Sequence, residues 1–349
     1  MKVFIVGGGP AGLCAAVLLK RQDPTVDITV VDRGQPTETY GWGITLPRRT
    51  IAQLETADPI AGSCLRNHVV TWSRNEVHHR GRRVEITWAP IFGVPRLALL
   101  GVLQERCVEL GVTLQFGTTI ESACLPEADL TIAADGANSA LRGSRADAFG
   151  TSLQVGLNRY IWLGTPHLFS ALTLAVAEND DGVFVGHAYP FSSDASTFIV
   201  ECRVEVWERA GLGARSSADV CEYLATLFAE SLNGCPLLHR GTLRWASFTR
   251  VKNERWHDGG LVLIGDAAHA IHFSVGSGTM LAIEDALALA ESFREHSALD
   301  AALDAYEQKR KAAVQAFHAL EDITINRLER MHEFTHLEPL ELAYRLMSR

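Results

Sequence analysis

No two cysteines in this chain are spaced as CxxC, and the seven present, Cys14, Cys64, Cys107, Cys124, Cys202, Cys221 and Cys235, are scattered and odd in number. That argues against a disulfide framework or a cysteine zinc site and predicts small core residues in a reducing, cytoplasmic compartment. No block of Lys and Arg offsets the formal net charge of −9, which counts against nucleic acid as a partner. No stretch is apolar for long enough to span a bilayer. The start, VFIVGGGPAGLCAAVLL, is broken by successive glycines and a proline and has no basic n-region before it, so a soluble protein with no membrane partner is expected. Internal repeats, low-complexity tracts and linkers are missing. So is a Gly-x-Ser-x-Gly elbow, and nothing suggests a hydrolytic triad.

What remains is an ordinary globular balance. The 349 residues are 47% hydrophobic and 21% charged, enough for one large domain or two intimate ones. Val3 to Val6 is an apolar run that stops at glycine, the pattern of a buried strand. Helix formers follow from Pro10 to Lys20, with the proline placed for a first turn, and Asp27 to Asp32 reads as a second strand. Together they make a βαβ unit with a right-handed crossover. Farther on, Tyr160–Gly164, Leu172–Ala177, Val183–Tyr189 and Thr197–Glu205 are short β-rich runs separated by turn signals, which predicts a mostly antiparallel sheet. Segments 216–232 and 279–330 read as helical. Leu261 to Ile264 returns to a buried-strand pattern before GDAAH. The chain therefore leaves its first fold and comes back to it.

The strongest local signal is GGGPAG, placing Gly7, Gly9 and Gly12 as G-x-G-x-x-G between strand and helix. Gly7 allows a tight turn, Gly9 lets backbone approach a pyrophosphate, and Gly12 lets helix and strand pack. The anion then rests on the helix N-terminus beside Pro10 and Ala11. Asp32, about twenty residues past the last glycine, is placed to accept from a ribose hydroxyl; Arg33 beside it could instead meet a 2′-phosphate. The geometry predicts a dinucleotide but does not separate NAD from FAD.

Two further motifs do, by resemblance. LTIAADGANSALR (Leu130 to Arg142) resembles the DG motif of the FAD-dependent aromatic hydroxylases, and LVLIGDAAHAIHFSVGSGT (Leu261 to Thr279) resembles their GD motif with its glycine-rich loop. Taken alone, Asp135 reads as an Asp-Gly turn and Asp266 as a helix N-cap. YGWGITLP, NRYIWLGT, GHAYPF and STFIVEC are similar to segments of the salicylyl-CoA 5-hydroxylase and 2-aminobenzoyl-CoA monooxygenase group, and to the indole-acting flavin hydroxylase of violacein biosynthesis. The likeness covers nearly the whole chain. It departs at 60–93, and at Phe273, where many of these hydroxylases have a proline.

The resemblance implies an α/β fold: a Rossmann-like FAD-binding unit (1–66, 94–152, 251–296) interleaved with a mostly antiparallel substrate sheet (67–93, 153–250), followed by C-terminal helices (297–349). It implies FAD as cofactor, with Asp135, Asp266, Gly276, Ser277, Gly278 and Thr279 among the binding residues. Glycines before a helix start would make a second anion-binding N-terminus. The implied cycle has NADH or NADPH reduce the flavin and dioxygen form a flavin hydroperoxide that gives one oxygen to an electron-rich ring. The ring's class stays open between an aryl-CoA thioester and an indole or tryptophan-derived metabolite. No second dinucleotide fingerprint is present, which fits a transiently bound nicotinamide and equally a partner flavin reductase.

Arg96 reads either as a family arginine near the flavin or as a helix-start arginine. Arg48 and Arg49 read as contacts to phosphate or to a nicotinamide cofactor, or as a solvated basic pair. His187 and Tyr189, on the sheet expected to face the flavin, and His272, near the GD loop, are the catalytic candidates, with Tyr160 and Trp162 as walls. A strand histidine serves as well in a core hydrogen bond. His269 and His272 sit at helical spacing, but no carboxylate or cysteine beside them completes a metal set, so no metal is expected. Arg80, Arg82 and Arg83 offer a basic patch for CoA phosphates or an exposed turn. The long helical segment 298–332 could serve a homodimer or pack on a monomer. A halogenase is set aside because its WxWxIP motif is missing. A flavin reductase that inserts no oxygen, or a non-catalytic FAD-binding module, stands as the alternative.

Overall fold

The computed structural model describes residues 1–347. Strand Lys2–Val6 pairs in parallel with Asp27–Val31 on one side and Leu130–Ala133 on the other, and helix Pro10–Gln22 makes the crossover. Leu261–Leu263 extends this sheet in parallel beside Leu130–Ala133. His257–Asp258 closes one edge as an antiparallel strand, and Thr113–Gln115 closes the other. Leu130–Ala133 and Leu261–Leu263 are buried throughout, as strands covered on both faces must be.

The second sheet has eight strands, in the order Ala246–Lys252, Ser152–Thr165, Ser196–Arg203, Gly182–Pro190, Leu172–Asn179, Val70–His79, Arg82–Pro95 and Gly43–Pro47. All neighbours are antiparallel except Val70–His79 with Leu172–Asn179. The chain passes back and forth between the two sheets, which is the α/β architecture the motifs implied.

Side chains alternate across this sheet, and each face has its own work. Ile161, Leu163, Phe184, Phe198 and Val200 point one way into an apolar cluster with Val220, Leu224 and Phe228 of the helical layer. The cross-strand partners Glu201 and Tyr160, Ile199 and Trp162, and His187 and Ile199 point the other way.

Local differences from the sequence reading have physical causes. The strand expected through Glu205 stops at Arg203, where Val204–Arg209 turns into a helix. The segment 279–330 is two helices, Gly278–Glu295 and Leu299–Glu329, broken by extended backbone at His296 and Ala298. Within 60–93, a hairpin turns at Arg80 and Gly81, both left-handed (φ +50° and +69°), a geometry that matches strand twist. Gly43–Pro47 belongs to the second sheet although it lies inside 1–66, because its register runs Gly43 opposite Pro95.

Candidate active site

The glycine-rich corner divides its labour. Gly7 sits at φ +115°, where an added Cβ would lie 2.1 Å from the Ala134 carbonyl oxygen, and a Cβ on Gly12 would lie 2.0 Å from the Gly7 oxygen. Both are closed by backbone. A Cβ on Gly9 would meet nothing within 4 Å, so this residue leaves the helix N-terminus open. No side chain caps helix Pro10–Gln22 and no acid sits in its first turn, and both statements hold for Gly278–Glu295 as well. The two helices thus present unsatisfied N–H groups and positive dipole ends.

Both ends open into one cleft of about 290 Å³. Gly9, Pro10 and Ala11 line it from the first helix, and Gly276, Ser277, Gly278 and Thr279 from the later one. Ser277 Oγ is buried there with no hydrogen-bond partner, a group waiting for a ligand. Arg96 and Asp266 complete the polar lining. Arg96 Nε donates to Thr39 Oγ1 at 2.7 Å; desolvation lowers its pKa, against the nearby Asp266 carboxylate. Asp266 is open to the cleft, and desolvation by the surrounding walls raises its pKa while His269 and Arg96 pull it down. Open backbone, two uncapped helix ends, a cation and a carboxylate fit the pyrophosphate and polyol of FAD.

Other expected cofactor residues stand back from this cleft. Asp32 accepts from the Gly8 N–H at 2.6 Å and the Gly34 N–H at 2.7 Å, so it shapes the turn. Arg33 is exposed. Asp135 accepts from the Ala140 N–H at 2.9 Å, and its other oxygen is buried without a partner. Its neighbours Ala134 and Gly136 line the cleft.

A second cavity of about 320 Å³ adjoins the first. Thr45, Tyr189, Ile199, Phe273, Gly276 and Ser277 line both. It runs from buried His187, Trp72 and Asn75 out to exposed Arg49, Ala89 and Pro90. His187 Nε2 lies 2.6 Å from Glu201 Oε1, and Asn158 Nδ2 donates to Glu201 Oε2 at 2.8 Å. The Tyr189 hydroxyl donates to the Gly43 carbonyl at 2.9 Å, and its ring stacks on Trp72 with centroids 6.3 Å apart. Phe273 stands at the shared wall, 4.8 Å from the Tyr160 ring and 5.4 Å from that of His187.

His272 lines neither of these two cavities. It packs against Phe273 at 4.2 Å, its Nδ1 lies 2.6 Å from Ser274 Oγ, and burial pushes its pKa down to about 4. His269 turns elsewhere, to Asp285 at 2.6 Å. The two histidines are therefore not brought together, and among the described residues no group of three or more His, Cys, Asp and Glu is placed to hold a metal ion. The arginines of the hairpin tip also lie away from both cavities: Arg80 donates to the His336 carbonyl, Arg83 to that of Glu230, and Arg82 pairs with Glu338 at 3.4 Å.

Sequence reasoning passed over Glu201, Asp285 and Thr45. The first carried a signal, a carboxylate inside the apolar strand run STFIVEC.

The chain matches the family described as FAD binding domain over residues 1–124 and 126–320. It is 40% identical over 325 residues to a salicyloyl-CoA 5-hydroxylase of a Streptomyces species, covering 90% of this chain and 63% of that protein. It thus spans less than two thirds of that relative. It is 40% identical over 315 residues to the 3-hydroxy-4-methyl-anthranilyl-(aryl-carrier protein) 5-monooxygenase of Streptosporangium sibiricum, covering 90% and 85% of the two chains. To the protodeoxyviolaceinate monooxygenase of Chromobacterium violaceum it is 33% identical over 353 residues, covering 98% and 93%. Among solved structures, the tetrameric form of 2-methyl-3-hydroxypyridine-5-carboxylic acid oxygenase shares the fold with a TM-score of 0.74 at 20% identity, covering 99% and 93%. Among the described residues, no helix is long and apolar enough to cross a membrane.

Proposed function

The chain belongs to the FAD-dependent aromatic monooxygenase family, and from that premise we propose that it hydroxylates an electron-rich aromatic ring carried on a thioester tether, with NADH or NADPH as electron donor and dioxygen as oxidant. The observation that carries this reading is the wall shared by the two cavities. Thr45, Tyr189, Ile199 and Phe273 face both, so a ring in the second cavity borders whatever fills the first. The second cavity also has a mouth. A ring lodged at His187 leaves a path for a tail past Arg49, whose side chain is 63% exposed and pairs with Glu284 at 3.6 Å, so a phosphate on the tether would share this guanidinium with that carboxylate.

When bound, FAD supplies electron transfer from the nicotinamide and activation of dioxygen. The chain's residues do the rest. The two uncapped helix ends and Ser277 hold the cofactor's anionic centre, with Arg96 and Asp266 at its polar flank. Phe273 stands at the junction of the two cavities, with Tyr160 and Trp162 walling the first beside it. His187 accepts a hydrogen bond from the ring's hydroxyl or amino substituent and draws electron density into the ring. A second reading, an untethered indole-type ring, draws on the nearly full-length match to protodeoxyviolaceinate monooxygenase.

The test follows NADH and NADPH oxidation together with oxygen uptake, with FAD present, on aryl-CoA thioesters, free aryl acids and indoles. The expected outcome is stimulation of both signals by an aryl-CoA and a product heavier by one oxygen. Stimulation by indoles alone favours the second reading. Turnover that starts on addition of a flavin reductase corrects the electron donor and leaves hydroxylation standing. Nicotinamide oxidation without oxygen incorporation on every substrate overturns the proposal.

A further inference from the structure

We infer that Glu201 is the positioning residue that makes His187 a proton acceptor toward the substrate's ring substituent, an inference that rests on the hydroxylase reading above.

Glu201 is 1% exposed, on the inward face of its strand opposite Tyr160. A charge there needs partners, and it has them on both oxygens: His187 Nε2 at 2.6 Å and Asn158 Nδ2 at 2.8 Å. Desolvation pushes its pKa up, but its partners, the hydrogen bond of His187 first and that of Asn158 with it, outweigh this and hold the group below the usual carboxylate range. An ionised oxygen at that distance requires the proton on Nε2. Nδ1, which has no other described partner, is then left with a lone pair on a side chain that lines the second cavity.

The groups around the pair support one charge state. Tyr160 and Asn158 face it from strand Ser152–Thr165. His272 faces it from the loop between strand Leu261–Leu263 and helix Gly278–Glu295 and is neutral above its depressed pKa. Beyond His272 stand Glu321 of helix Leu299–Glu329 and Arg250 of strand Ala246–Lys252, already paired with each other at 2.6 Å. Among the described residues, no uncompensated cation competes with His187 for Glu201.

The step moves one proton and no electrons. The substituent's O–H or N–H bond breaks as its proton passes to Nδ1, and the resulting imidazolium is held by the Glu201 carboxylate. The proton returns to the substituent when the oxygenated ring regains aromaticity by releasing its ring proton to solvent.

The test uses FAD-loaded protein with 15N-labelled histidine, the His187 signals being assigned by their loss in His187→Gln. Wild type is expected to carry its proton on Nε2. Glu201→Gln is expected to move the His187 nitrogen shifts away from this single tautomer, and Glu201→Asp to restore most of it. On turnover, Glu201→Gln should lower kcat at least about tenfold with KM little changed, and move the acid limb of the kcat profile to lower pH. A Glu201→Gln protein that keeps its flavin spectrum, its His187 nitrogen shifts and its kcat overturns the inference. Should Glu201→Gln fail to load FAD, Glu201→Asp carries the comparison: wild-type nitrogen shifts and kcat support a carboxylate requirement, and their loss opposes it. If wild type hydroxylates no aromatic, the function reading fails separately, while the nitrogen shifts still decide which atom carries the proton.

Discussion

Asp285 Oδ2 accepts from His269 Nε2 at 2.6 Å and also from the Gly265 N–H at 2.8 Å, so one carboxylate grips the loop that carries Asp266 at both of its ends. Its other oxygen takes Arg310 Nε at 2.7 Å, tying the same loop to helix Leu299–Glu329. Replacing Asp285 with alanine leaves Arg310 buried and short of its main partner. Loss of about 3–5 kcal/mol is expected, the range for breaking a buried charge pair. Urea unfolding of the apoprotein measures this, and FAD retained through gel filtration should fall with it.

Two glycines of the GGGPAG turn, Gly7 and Gly9, should respond in opposite ways. Gly7→Ala drives a Cβ into the Ala134 carbonyl at a left-handed φ, so the apoprotein itself should be destabilised by at least about 2 kcal/mol. Gly9 has ordinary backbone, φ −80°, and open space before it. Gly9→Val should therefore leave apoprotein stability within about 0.5 kcal/mol of wild type and raise the FAD dissociation constant at least about tenfold. Equal loss of apoprotein stability in both variants would contradict this division.

What could be read from the sequence was local. GGGPAG dictates a strand, a turn and a helix within a dozen residues, because each glycine answers a contact made nearby, and the structure puts Gly7, Gly9 and Gly12 in such places. The parallel and antiparallel sheets were legible from run length and turn residues. Pairings set by register were not. Glu201 meets His187 because Gly186 falls opposite Val200 in a particular hairpin, and a shift of one residue would send the two side chains to different faces. Asp285 was hidden for another reason: it lies on the buried side of a helix whose periodicity looks ordinary, and its partners come from the Gly265–His269 loop and a second helix. His272 was legible as a residue near the cofactor loop, but Phe273 intervenes, and that depends on how one turn is wound.

Tyr189 offers a clean separation of ring from hydroxyl. The hydroxyl is committed to the Gly43 carbonyl, and burial raises its pKa far above neutrality, so it serves strand Gly43–Pro47 rather than proton transfer. Tyr189→Phe keeps the ring on Trp72. It should cost about 1 kcal/mol, seen as a fall in Tm of about 2 °C, and leave kcat within about threefold of wild type. A fall of a hundredfold at unchanged KM would return the hydroxyl to the catalytic set.

His272 gives the protein a pH dependence with a defined sign. Its folded pKa, about 4, lies below the ordinary histidine value of about 6.5. Between those values the unfolded chain binds a proton that the folded protein excludes, so stability falls as pH drops through this window and levels off below pH 4. The full loss is up to about 3 kcal/mol. Glu201, Asp285 and Glu321, whose folded pKa values are lowered, lose their stabilising contribution as pH falls below the ordinary carboxylate range, and so act at the acid end. Unfolding free energies measured from pH 7 to 4.5 therefore report His272 together with His78 and His167, whose pKa values burial also lowers. His272→Asn should flatten the slope in that interval, even though it weakens the contacts to Ser274 and Phe273 and lowers the value at pH 7. An unchanged slope in the variant would mean that the other two histidines, His78 and His167, set the acid response.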